Sequence, residues 1–280
     1  MTSAELWQLR RTQLGTIVRL ELGKTLLSLR GLWVYLLAFA PAVIVGLHAI
    51  IAATSHHDGH TLEADTEILG VIFQIYYLRV AIFFGCLGIF TRLFRGEMME
   101  KSAHYYLLTP VRRELLAVGK FLAGAIAAAT SFGLGMLACF VLMYSHFGAE
   151  ARAFVFSGPG LGHLGAYLLV GVLACLGYGA LFLLIGLLAK NPVLPAIGVL
   201  VWESMNHVLP ASLKLLSVIF YLEPLLPVSI PARGITALFA IPADPIAPAI
   251  AVPGLLVVAA VILAFACWRV RETEINYSAD

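Results

Sequence analysis

Charge is scarce in this chain: Asp, Glu, Lys and Arg make up 12% of its 280 residues, while 61% are hydrophobic. Soluble domains carry about 25% charged residues, and the mean hydropathy here is +0.93, so a soluble globular class is excluded. Cysteine is also rare. Cys86, Cys139, Cys175 and Cys267 each sit in a different apolar run, with no paired spacing and no His nearby. That excludes a disulfide framework and leaves soft packing residues. Catalytic signatures are absent, with no HExxH, GxSxG or CxxC. The phosphate loop GxxxxGK followed by Ser or Thr is absent too, so any ATP hydrolysis is expected on a partner, or the energy comes from an ion gradient. There is no internal repeat and no low-complexity tract.

What remains is long apolar runs. A helix needs about 20 apolar residues to cross roughly 30 Å of hydrocarbon, and six stretches qualify, at about 31–53, 68–92, 121–144, 164–188, 194–212 and 250–268. Their continuity excludes a transmembrane β-barrel, whose segments are short and alternating. The first run follows Arg10, Arg11, Arg19, Lys24 and Arg30 and is too long for a signal-peptide core, so it is expected to stay as a span. Lys and Arg are distributed unevenly. Those five, then Arg92, Arg95, Lys101, Arg112, Arg113 and Lys120, then Lys190, Arg269 and Arg271 fall on one side of the predicted topology. The other side holds only Arg152, Lys214 and Arg233, and Arg79 lies within a span. The positive-inside rule therefore predicts that both termini are cytoplasmic. The net charge of +2 conceals this polarity and gives no indication of nucleic-acid binding.

The expected division is a cytoplasmic tail with an interfacial helix over 1–30, one six-span domain over 31–269, and a cytoplasmic tail over 270–280. Within the first part, Leu14, Ile17, Val18, Leu22, Leu26 and Leu29 recur at helical spacing, while Thr16, Arg19 and Gly23 fall on another face; this predicts an amphipathic helix in the interface. The first outer loop holds His56, His57, Asp58 and His60, which have metal-binding donors, but with no second cluster in the sequence they read as solvated surface residues and no metal is expected. From 210 to 250 the chain stays apolar yet is broken by Pro210, Pro224, Pro227, Pro231, Pro242, Pro245 and Pro248. Broken backbone in hydrocarbon must be protected by protein or water, so this segment is expected to cap the outer face as short interfacial or re-entrant helices.

Ionisable residues inside spans cost about 2.5–3.5 kcal/mol at the centre on insertion scales, so each needs a reason. Span 2 carries Gln74 and Arg79, and span 5 carries Glu203, Asn206 and His207, whose i, i+3, i+4 spacing puts them on one helical face. From the helical rise, Arg79 lies roughly 17 Å from the outer surface and Glu203 roughly 14 Å from the inner one. The two depths sum to about one membrane thickness, so these charges are expected to meet near the midplane, either as an ion pair that orients spans or as the lining of a path or subunit interface.

Between spans 2 and 3 lies EMMEKSAHYYLLTPVRRELLAVGK. On a helical wheel Glu97, Glu100, Lys101 and His104 share one narrow face, while Met98, Met99, Ala103, Tyr105 and Tyr106 occupy the rest. Thr109 is placed to N-cap the next helix, with Pro110 at its first position. A short surface helix with a polar face toward the cytoplasm is suited to docking a soluble partner.

The stretch FRGEMMEKSAHYYLLTPVRRELLAVGKFLAG resembles the first cytoplasmic loop of ABC-2 type ABC transporter permeases. In that loop a glutamate-led helix precedes a leucine-rich stretch, a proline, a basic residue and a Gly-Lys at the start of span 3. The matching positions are Glu97 or Glu100, Leu107, Leu108, Pro110, Arg112 or Arg113, Gly119 and Lys120. The layout of the whole chain is similar as well. Where the family often has Gly-Thr soon after the glutamate, this chain reads EKSAHYY, which leaves the register open between Glu97 and Glu100. The resemblance implies an all-α membrane protein with six transmembrane helices, an N-terminal interfacial helix, a cytoplasmic coupling helix, and broken apolar helices between spans 5 and 6. It implies a partner ABC-type ATPase holding ATP and Mg, no cofactor in this chain, and a second permease subunit, identical or homologous, in the lipid of a prokaryotic cytoplasmic membrane. The coupling helix would present Glu97, Glu100, Lys101, His104 and Tyr105 to the ATPase, and Arg79, Glu203, Asn206 and His207 would lie in the interior, in a subunit that is not itself an enzyme and works as an exporter. A gradient-driven carrier using Glu203 and His207, and a non-transporting membrane-anchoring subunit, are the alternatives.

Overall fold

The computed structural model describes residues 2–28, 31–54, 61–99, 111–229 and 246–272, without the side chain of His207. Hydrocarbon offers backbone groups no water, so long apolar runs satisfy them internally as helices. The described residues form helices and turns and no strand. The main elements are α1 (Ser3–Leu27), α2 (Leu32–Thr54), α3 (Leu62–Met99), α4 (Arg113–Tyr144), α5 (Gly160–Leu188), α6 (Val193–Ser204), α7 (Val218–Leu222) and α8 (Pro248–Glu272). Five of them, α2, α3, α4, α5 and α8, are long and apolar enough to cross a membrane.

The expected fifth span, 194–212, is not one helix. α6 runs for 12 residues, about 18 Å at the helical rise, and ends at Ser204. A 3-10 turn over Asn206–Val208 follows, then Leu209 in extended conformation before Pro210. Proline clashes with a helical residue before it, which stops the helix from continuing to 212. The expected helical face of 203, 206 and 207 is therefore not formed: Glu203 belongs to α6, and Asn206 opens the 3-10 turn. Beyond it the proline-rich segment makes short pieces at Ala211–Lys214, α7 and Glu223–Leu225.

The centre of the bundle is the α3–α5 pair, with α2 and α1 laid along α4 and α8 against α5. Without a hydrophobic force between helices in lipid, close packing depends on small residues. Phe90 of α3 fills a notch opened by Gly124 of α4 and Gly179 of α5; a Cβ at either would stand within 2.7 Å of its ring. α1 begins at a capping box, in which Thr2 and Glu5 bond reciprocally at 3.3 and 2.8 Å. Its half-buried face holds Leu14, Ile17, Val18, Leu22 and Leu26, while Thr16 and Arg19 are exposed. Leu14 and Ile17 close on Gly119 of α4.

Pro41 interrupts α2, and the break is repaired by its neighbours. Lacking an N–H, Pro41 leaves the Leu37 carbonyl without its intrahelical donor. The Tyr76 hydroxyl donates to that carbonyl at 3.0 Å, and the Tyr77 hydroxyl donates to the Ala38 carbonyl at 2.7 Å. Both tyrosines lie in Ile72–Ala81, a π-helical stretch of α3 that ends with the Ile82 N–H bonded back to the Tyr77 carbonyl. Gly135 of α4 sits against the same Ala38 carbonyl, where a Cβ would overlap the oxygen. Gly135→Ala is therefore expected to force α2 from α4 and destabilise the protein by about 1–3 kcal/mol. Gly133→Ala, whose Cβ would meet only Leu168 at 3.7 Å, should be near neutral. Thermal denaturation of the two variants in detergent micelles makes the comparison.

Candidate functional site

One end of the bundle carries a buried ion network built from three helices. Lys120, in the second turn of α4, is fully buried. Its Nζ donates to Glu97 Oε1 at 2.7 Å and to Glu21 Oε1 at 3.0 Å. Glu97 lies in the last turn of α3 and Glu21 in the second half of α1, so a single ammonium holds three helices. Lys24 closes the arrangement, 3.5 Å from Glu21 and 3.6 Å from Glu97. The Phe94 ring stands 5.4 Å from Lys120 Nζ, in range of a cation–π contact. Among the described residues two cations face two carboxylates, and such pairing is what permits burial, since an unpaired buried charge costs several kcal/mol.

Glu97, expected to face a partner protein, thus turns its carboxylate into the bundle. Glu100, Lys101, His104 and Tyr105, expected on the same polar face, lie outside the described residues. Sequence reading marked Glu97 and Lys120 but passed over Glu21, which is 3% exposed. The signal was available. Leu14, Ile17, Val18, Glu21 and Thr25 continue one helical stripe, so Glu21 is a charge in the middle of an apolar face.

The interior polar residues are arranged differently from the expected midplane pair. Arg79 Nη2 bonds Glu223 Oε1 at 3.1 Å, and Gln74 Nε2 donates to the Val228 carbonyl at 2.5 Å. Both tie the π-helical stretch of α3 to the proline-broken segment. Glu203 has other partners. Its carboxylate accepts from Ser217 Oγ, Val218 N and Ile219 N, each at 2.9 Å, and from Tyr178 Oη at 3.4 Å. Glu203 is 4% exposed and acts as an anionic cap on the first turn of α7, where N–H groups lack intrahelical acceptors. The depth sum expected these two charges to meet each other, and they do not. It could not see that the segment after Pro210 folds back to supply each with a nearer partner. Asn206 is buried, and neither its side-chain oxygen nor its nitrogen has a hydrogen-bond partner among the described residues.

At the opposite end Asp65 of α3 is buried between His48 of α2 and His146, each with Nε2 at 3.4 Å from its Oδ2. This cluster escaped sequence reading because its members are 17 and 81 residues apart. Among the described residues no group of three or more His, Cys, Asp and Glu is arranged to hold a metal ion. His56, His57, Asp58 and His60 lie outside the described residues. All four cysteines are free. No protein-family model matches the chain, and no curated protein is similar to it.

Proposed function

We propose that this chain is the membrane-embedded permease subunit of an ATP-binding cassette transporter of the ABC-2 type, an exporter whose ATP is hydrolysed by a separate subunit. The orientation follows the distribution of Lys and Arg, with the ion-network end and both termini in the cytoplasm. A second permease subunit, identical or homologous, would complete the path through a prokaryotic cytoplasmic membrane.

The observation that carries this reading is the Lys120–Glu97 bond. It ties the end of α3 to the start of α4 at 2.7 Å, at the base of the 100–110 segment whose sequence resembles a coupling helix. A connecting loop with no mechanical task has no need of buried charges at its root. Fixed at that root and joined through Glu21 to α1, the segment would act as a rigid lever: a displacement imposed by a partner reaches α1, α3 and α4 together, as a rigid-body change requires. The gradient-driven alternative is less well supported, because the described donors around Glu203 point at a carboxylate that is 4% exposed and tie it to the start of α7.

The test is co-purification followed by turnover. Tagged chain extracted from its native membrane should bring down an ATPase subunit containing a phosphate loop, and the complex in liposomes should hydrolyse ATP. Glu100→Arg and His104→Glu, on the expected docking face, should each lower recovery of that subunit several-fold while leaving the thermal stability of this chain unchanged. If the purified chain brings down no ATPase and ATP alters no transport, the reading is abandoned.

A further inference from the structure

The 38 residues of α3 do not form one uniform rod. Ile72–Ala81 is wound as a π-helix between two α-helical arms, Leu62–Val71 and Ile82–Met99. π-Turns are rare, occur mostly as single turns inside α-helices, and mark kinks and functional sites; this one runs for 10 residues. Pro41 lies beside it in α2, where the missing N–H removes a hydrogen bond of that helix. Two neighbouring helices thus have their irregular turns at one level.

The two arms of α3 are held in different ways. The arm after the π-helix is interlocked by close packing. A Cβ on Gly85 would stand 2.2 Å from Phe132 of α4, one on Gly88 would stand 1.9 Å from Trp33 of α2, and one on Gly186 of α5 would stand 2.9 Å from Thr91 Cα. With Phe90 in its notch as well, this arm cannot tilt unless whole helices separate. The arm before the π-helix is held to its neighbours by polar side chains. Thr66 Oγ1 and Tyr144 Oη of α4 are 3.0 Å apart, and Asp65 reaches His48 and His146 at 3.4 Å. Interhelical hydrogen bonds of this kind are individually weak in a membrane and can be exchanged.

The π-helix is fastened by the same kind of bond. Tyr76 and Tyr77 donate to the α2 carbonyls of Leu37 and Ala38, the Tyr77 hydroxyl also stands 3.3 Å from Cys139 Sγ of α4, and Gln74 donates to the Val228 carbonyl. We infer that the π-helix is a hinge. The arm Leu62–Val71 tilts against the rest of the bundle while Ile82–Met99 stays fixed, and Tyr76 and Tyr77 latch the present tilt onto α2. A hinge confines its backbone change to a few residues, and a stretch with its own wider turn, followed by an interlocked arm, meets that condition. The moving arm has 10 residues, about 15 Å at the helical rise, so a tilt of about 20° would carry its tip about 5 Å. Val228, which a Cβ on Gly70 of this arm would meet at 3.1 Å, would follow. The hinge rests on backbone geometry and packing and holds whether or not an ATPase drives it.

Distances between nitroxide labels in the full chain, in lipid nanodiscs, test this. Labels go on introduced cysteines in a Cys267→Ser background, since Cys86, Cys139 and Cys175 are buried. One pair, at Glu67 and Ile250, joins the moving arm to α8, and the other, at Phe84 and Trp268, joins the fixed arm to α8; all four positions are exposed. Tyr76→Phe combined with Tyr77→Phe keeps both rings and removes both latches. It should widen or shift the Glu67–Ile250 distribution by about 5 Å and leave the Phe84–Trp268 distribution at its parental width. Gln74→Leu, which frees the π-helix from Val228, should act in the same one-sided way. Amide exchange within Leu62–Val71 should stay at the parental rate, because a tilting arm keeps its own hydrogen bonds. An unchanged Glu67–Ile250 distance in both variants, an equal change in the two pairs, or faster exchange throughout the arm would each overturn the hinge, the last by showing that the arm melts rather than tilts.

Discussion

Lys120→Met should destabilise the protein by about 3–5 kcal/mol, the usual effect of removing one partner from a buried ion pair. Methionine fills nearly the same volume, so the loss is electrostatic rather than a cavity. Without the ammonium, the Glu21 and Glu97 carboxylates lose their nearest described cation, and Lys24, whose side chain is 49% exposed, is the other described cation beside them. An exposed lysine contributes little, on the order of 1 kcal/mol or less, and cannot replace a fully buried one. The network reading is separable from simple packing, because Lys120→Met combined with Glu21→Gln and Glu97→Gln removes the stranded charges. That triple variant should recover most of the lost stability, since neutral groups of similar shape replace a buried pair at small cost. Thermal denaturation in micelles provides both numbers. A single variant as stable as the parent, or a triple variant no better than the single, would rule out the network as the tie between α1, α3 and α4.

Spanning helices were the legible part of this protein, because an uninterrupted apolar run of 20 or more residues has few other structures open to it. α2, α3, α4, α5 and α8 lie where hydropathy placed them. The fifth expected span, 194–212, is interrupted: its helix ends at Ser204, and extended backbone leads into Pro210. Apolar composition continued through it, but a helix depends on backbone donors and on the conformation before proline, which hydropathy does not register. α3 is longer at both ends than the run at 68–92, since Thr61 caps it at one end and Glu97 is paired at the other. Long-range partners were illegible for a different reason. Arg79 and Glu203 were correctly recognised as charges needing compensation, yet Glu223 is 144 residues from Arg79, in a segment whose return to the bundle no local pattern announces. Nothing in the sequence sets Tyr76 and Tyr77 apart from other aromatic residues of an apolar run. Their service to carbonyls beside Pro41 appears only when two helices are placed together.

Glu203→Leu should be the second variant of large effect, again by about 3–5 kcal/mol, and for a reason that distinguishes a cap from a proton carrier. Leucine leaves four donors facing a closed interior: Ser217 Oγ, Val218 N, Ile219 N and Tyr178 Oη. Each buried donor left without an acceptor costs about 1–3 kcal/mol, and the two backbone groups cannot rotate away. Arg79 is not stranded by the change, since it keeps Glu223, so the loss should be local to the start of α7. Glu203→Gln should fall between. Its amide oxygen can still accept, but its NH2 turns a donor toward donors. Ser217→Ala should cost about 1 kcal/mol, as the loss of one hydrogen bond, and Tyr178→Phe less, because its bond is the longest of the four at 3.4 Å. The expected order of stability is therefore Tyr178→Phe, Ser217→Ala, Glu203→Gln, Glu203→Leu, from highest to lowest. Amide exchange should rise first at residues 217–222 in both Glu203 variants. A proton carrier predicts the reverse pattern for Glu203→Gln, with stability kept and transport lost, because the neutral amide mimics the protonated acid. Parental stability with unchanged exchange in that variant would remove Glu203 as the cap that folds the proline-broken segment back onto the bundle.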